Sequence, residues 1–113
     1  MPLTFKGKAA YNAVQLNKSG SPDAIELSYS KNKGSWTPYS LCSVIELAEN
    51  DTVMFSGAND HFSKDYSNHY QFAMTGTIEA KGNIQSLMNF SDSCTSACYV
   101  DMFRGCTSLT STP

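Results

Sequence analysis

Three observations predict an all-β fold. Apolar residues alternate with period two along most of the chain, polar turn clusters interrupt that alternation at even spacing, and only 16% of the 113 residues are charged. Alternation of this kind describes strands with one buried face, and such strands, joined by short polar turns, close into two packed sheets. The expected architecture is an immunoglobulin-like β-sandwich over residues 1–90, followed by a linker and one short helix-containing unit over residues 91–113. A chain of this length can bury enough surface to fold as one domain without a metal or a disulfide framework.

The alternation places strands at residues 3–5, 13–18, 24–30, 36–39, 44–48, 52–56, 70–75, 77–80 and 83–87. The inward set begins with Val14 and Leu16, then Ile25, Leu27 and Tyr29, then Ile45 and Leu47. Val53 and Phe55, Phe72 and Met74, and finally Ile78 and Ile84 complete it. Turn chemistry separates the strands at Ser19-Gly20-Ser21-Pro22-Asp23, Lys31-Asn32-Lys33-Gly34, Glu49-Asn50-Asp51 and Lys81-Gly82-Asn83. Residues 57–69 form the longest stretch without a pattern, a length that marks a loop as functional or mobile.

Beyond the strands the period changes. Cys98, Met102 and Cys106 recur at i, i+4 and i+8 and share one face of a short helix. Gly105 can end that helix, and residues 107–113 then supply a short extended segment and a proline stop. Such a unit cannot cover its own apolar face and reads as one unit of a repeat.

The run Met102-Phe103-Arg104-Gly105-Cys106-Thr107-Ser108-Leu109-Thr110-Ser111-Thr112-Pro113, preceded by Ala97-Cys98-Tyr99-Val100-Asp101, resembles the repeat of the BspA-like leucine-rich-repeat surface proteins of host-associated anaerobic bacteria. Pro2-Leu3-Thr4-Phe5, residues 27–40 and residues 74–88 are similar to the β-rich module that leads into such repeats. One repeat stands here where a ladder is usual, so a role resting on a long concave repeat surface is not expected of this chain. The resemblance implies a leucine-rich-repeat unit after the sandwich, with the repeat's cysteine facing the solenoid core. It also implies a non-catalytic interaction or adhesion module, extracellular or on the cell surface, whose partner is a protein or glycan on host or neighbouring cells. If Pro113 ends the chain, Val100, Phe103 and Leu109 are expected to have no following unit to cover them. The chain is therefore expected to pair as a homo-oligomer through this region or to tuck it back on the sandwich, which makes Phe103 and Leu109 candidate contact residues.

Composition removes several other classes. Eight basic against ten acidic residues, with the basic ones scattered, leave no footprint for a phosphate backbone, so nucleic-acid binding is not expected. No segment approaches the roughly 20 apolar residues that span a bilayer. Met1 to Lys8 lack the basic start, apolar run and small-residue site of a secretory signal. Export is thus expected to depend on a removed upstream signal or another route.

Cysteines stand at 42, 94, 98 and 106. If the helix forms, Cys98 and Cys106 lie roughly 12 Å apart, too far for a bridge. Cys94 could pair with Cys98 if the helix starts later, and Cys42 could reach any of them through space. The expectation for Cys98 and Cys106 is buried free thiols acting as small hydrophobes.

Candidate chemistry is sparse. His61 and His69, with Asp60 and Asp65, suit a metal or acid–base site, but no further zinc ligand stands at a workable spacing. Asn59, Asp60, Asp65 and Asn68 could offer oxygens to Ca²⁺ without the spacing of a known loop, so a solvated polar loop is the simpler expectation. No nucleophile elbow or phosphate-cradling glycine run is present, and neither catalysis nor a cofactor or metal is expected. Residues 28–39 hold the only Trp, in a hairpin similar to the Asp-box hairpins of sialidase propellers, with Asn32 or Lys33 where the box has aspartate. Trp36 and Tyr39 are candidates for a sugar platform. The plainer expectation is a core Trp between the sheets. Two alternatives to the interaction module therefore remain: a self-assembling or phage-type fibre or decoration domain, and a carbohydrate-binding module.

Overall fold

The computed structural model describes residues 2–21, 24–57, 59, 68–82 and the backbone of 109–111. Their alternating burial builds nine strands: β1 (Leu3–Gly7), β2 (Tyr11–Ser19), β3 (Ser28–Lys31), β4 (Thr37–Pro38), β5 (Val44–Ala48), β6 (Thr52–Ser56), β7 (His69–Thr75), β8 (Ile78–Lys81) and β9 (Leu109–Ser111). One sheet has the order β4-β3-β6-β1-β8-β9 and the other β5-β2-β7. Neighbours are antiparallel, except that β9 lies parallel to β8, with Ile78 registered to Leu109.

The sheets meet through aromatic rings. Phe5 of β1 and Phe55 of β6, from the larger sheet, pack against Phe72 of β7 at centroid distances of 5.1 and 5.6 Å. Leu3, Val14, Leu16, Leu47, Val53 and Ile78 close around them, all essentially excluded from solvent. The result is an all-β, sandwich-like body.

The inward set predicted from alternation is recovered where it is described. Val14, Leu16, Leu27, Ile45, Leu47, Val53, Phe55, Phe72 and Ile78 are buried, while Ile25, Tyr29 and Met74 pack partly buried against them. Strand ends differ from expectation. The strand expected at 24–30 is formed only by Ser28–Lys31, because Glu26 bonds to a side chain instead of a neighbouring strand: its N–H donates to Asn59 Oδ1 (2.7 Å) and its carbonyl accepts from Asn59 Nδ2 (2.7 Å). The strand at 83–87, Ile84, the helix through Cys98 to Cys106, and Phe103 lie outside the described residues. β9 falls inside the extended segment expected at 107–113.

Asn12 occupies an inward position of β2 and is fully buried. Its Oδ1 accepts from the backbone N–H of Ala9 (3.2 Å) and Thr77 (3.0 Å), and its Nδ2 donates to the carbonyls of Ala9 (2.8 Å) and Leu47 (3.1 Å). One side chain thus ties the β1–β2 connection, β5 and the β7–β8 turn together.

Candidate functional site

The β3–β4 hairpin turns through Asn32 and Lys33, whose φ angles of 51° and 60° give the two positive values of a type I′ turn. Gly34 N–H donates to the Lys31 carbonyl (2.9 Å) and Ser30 Oγ donates to the Gly34 carbonyl (2.7 Å). The tip is then braced from below. Asn32 N–H donates to the Thr52 carbonyl (2.8 Å), Thr52 N–H donates to Asn32 Oδ1 (2.8 Å), and Asn32 Nδ2 donates to Asp51 Oδ1 (3.1 Å). Asp51 completes the brace by accepting the Ala48 N–H on Oδ2 (2.9 Å). That bond first, then the Asn32 amide and the Lys31 ammonium, hold the Asp51 carboxyl below the usual carboxylate range.

On this hairpin the two candidate aromatics part company. Trp36 is 47% exposed, which corrects the expectation of a core Trp. Tyr39 instead turns inward, edge-on to Tyr29 (6.1 Å) and Phe55 (5.9 Å). Its hydroxyl accepts from Leu16 N–H (2.8 Å) and donates to the Ser43 carbonyl (2.6 Å). Burial raises the Tyr39 phenol above its ordinary value, with the Leu16 bond opposing. Trp36 and Tyr39 flank β4, the first exposed and the second partly buried against the core.

A second feature lies between the sheets. Leu16, Ile25, Leu27, Tyr39, Leu41 and Tyr70 line a cleft of about 290 Å³ that opens to solvent beside Lys18 and Ala24. Leu41 comes from the turn Ser40–Ser43, closed by Ser43 N–H to the Ser40 carbonyl (3.0 Å) with Cys42 at φ 68°. That turn is laid across β2 by Cys42 N–H to the Leu16 carbonyl (3.0 Å) and by Gln15 Nε2 to the Cys42 carbonyl (2.7 Å). Cys42 itself is an exposed free thiol. The cleft was not anticipated from the sequence. A signal existed in Lys18, a charged residue at the inward position that follows Val14 and Leu16.

Among the other candidates, Leu109 lies in β9 and Phe103 outside the described residues, as do Asp60, His61 and Asp65. Asn59 clamps Glu26, and Asn68 Oδ1 accepts the Ser21 N–H (2.9 Å), so both amide oxygens proposed for Ca²⁺ engage backbone. His69 is buried, and its Nδ1 meets no partner among the described residues. Among those residues no three His, Cys, Asp or Glu side chains gather as a metal site, and no helix is long and apolar enough to cross a membrane.

No family model, curated protein or solved structure matches the chain. The functional reading therefore rests on the residues and their geometry.

Proposed function

We propose that this chain is a non-catalytic interaction or adhesion module of the extracellular or cell-surface kind, an immunoglobulin-like sandwich that leads into BspA-like leucine-rich repeats. The observation that carries the reading is the parallel pairing of β9 with β8. Parallel neighbours need a long crossover, and repeat ladders are built from such crossovers stacked in one direction. Here the residues that resemble the repeat, 97–113, follow the first of the two strands in the chain and include the second. The outer edge of β9 is also the outer edge of the larger sheet, the side on which a following repeat strand would add.

Adhesion of beads coated with the chain to cultured host cells and to matrix-coated wells tests the role. Saturable adherence above that of beads coated with an unrelated β-domain is expected, and adherence no greater than that control removes the adhesion reading.

The exposed indole of Trp36 favours a second reading, carbohydrate binding by stacking on that ring alone. A glycan array separates the two. Binding to a defined glycan class that Trp36→Ala abolishes establishes the second reading, and an array without hits dismisses it.

A further inference from the structure

The cleft between the sheets has walls that are fixed before anything enters it. The 24–27 segment is clamped at Glu26 by both ends of the Asn59 amide, and its Leu27 carbonyl accepts the Tyr39 N–H (2.8 Å). On the opposite side the Tyr39 hydroxyl is committed to Leu16 and Ser43, so it holds the wall and is not left to seek a ligand. A preformed space of this kind costs little ordering when it is filled. Enclosed cavities of about 150 Å³ take up benzene, and this open cleft of about 290 Å³ and mixed polarity has room for a larger body.

Among the described lining residues only Lys18 is charged. Lys18 continues the inward series of β2 and is registered to Tyr70, at the rim of the lining. Ion pairs form at Lys31–Asp51 and Lys81–Glu79, but no described carboxylate pairs with Lys18. A cleft walled by Leu16, Ile25, Leu27, Leu41 and two tyrosine rings, with the Lys18 ammonium in its lining, is complementary to an anion with an apolar tail.

We propose that this cleft is a binding site for a small amphiphilic carboxylate, with an apolar body of about six to eight carbons held between Leu16, Leu27, Leu41 and Tyr70 and its carboxylate on Lys18. The assignment is independent of the adhesion reading and of the repeat.

Amide chemical-shift titration with octanoate, and in parallel with 1-octanol, tests it. Octanoate is expected to shift the amides of residues 16–18, 24–27, 39–42 and 70 saturably. Lys18→Gln is expected to weaken octanoate roughly tenfold, the loss of one charge-assisted contact, and to leave 1-octanol unchanged. Leu41→Trp, which enlarges a half-exposed rim residue, is expected to weaken both. Absence of saturable shifts, shifts that map elsewhere, or equal affinities of octanoate for the parent and Lys18→Gln would each overturn the proposal.

Discussion

At the scale of the residue, Asn12 shows how a polar side chain can hold an apolar body together. Removing its amide leaves the N–H groups of Ala9 and Thr77 and the carbonyls of Ala9 and Leu47 without these bonds, the last of them fully buried and the others partly so. Asn12→Ala is therefore expected to destabilise by about 2–4 kcal/mol, read as a lower urea midpoint. An unchanged midpoint would show the network to be dispensable. Two glycines make room for it. A Cβ at Gly7 would run into Asn12 Nδ2, and one at Gly76, where φ is +87°, would run into the Tyr11 carbonyl and Asn12 Oδ1. Phe55 is the apolar counterpart, in contact with the rings of Phe5, Phe72 and Tyr39. Phe55→Ala is expected to cost about 3–5 kcal/mol, and melting within a degree or two of the parent would contradict its central place. Alternation made Phe55 legible from sequence but concealed Asn12. A polar residue at an inward position looks like the end of a strand, so β2 read as starting at Ala13. Leu3 and Phe5 were missed as core because a three-residue strand shows too little alternation to assign a face.

Among the elements, the β3–β4 hairpin and the β5–β6 turn support each other through Asp51. A carboxyl whose folded pKa lies below its unfolded value contributes stability that is present above the unfolded pKa, about 3.9, and is lost as pH falls through the folded one. The difference in melting temperature between the parent and Asp51→Ala is thus expected to be constant near neutrality and to shrink in acid below pH 4. A gap that persists unchanged to pH 2 would mean that the carboxylate form plays no part. Because Asp51 makes its contacts near the surface, the effect is expected to be modest and to fall with salt. The turn at Lys31–Gly34 was legible because asparagine and glycine mark turns, although the positive φ falls on Asn32 and Lys33 and not on Gly34. The orientation of the aromatics after it was not. Hydrophobicity alone argues for burying Trp36. Two backbone partners for a hydroxyl put Tyr39 inside instead, and they depend on Leu16 and Ser43, which only the fold brings near.

For the molecule as a whole, β9 gives the larger sheet a parallel edge, and two outcomes depend on that edge. Appending a second copy of residues 91–113 is expected to raise the melting temperature by several degrees, as each added repeat covers its predecessor, whereas a scrambled copy has no such effect. Equal melting of both versions would count against the repeat. Pairing through the C-terminal region predicts concentration-dependent sedimentation that Leu109→Asp or Phe103→Asp abolishes with the β signal retained. A clean monomer at high concentration would rule it out. The sandwich-like body was legible because alternation reports a local property of each strand. The cleft was not, because its lining is gathered from four separated stretches of chain that only the packing of two sheets brings together.

The position of β1 has a consequence for how the chain acquires this structure. Its partners are β6 and β8, with Leu3 opposite Phe55 and Phe5 opposite Ala80, so the first strand in chain order sits at the middle of the larger sheet and pairs only with strands made much later. Closing loops of that length before any pairing is rewarded makes folding slow, and it leaves Leu3 and Phe5 uncovered during synthesis until β8 has emerged. The β3–β4 hairpin and the β3–β6 and β2–β5 pairs close shorter loops and can form earlier, so β1 is expected to pair late, and Phe5→Ala should slow refolding less than it speeds unfolding.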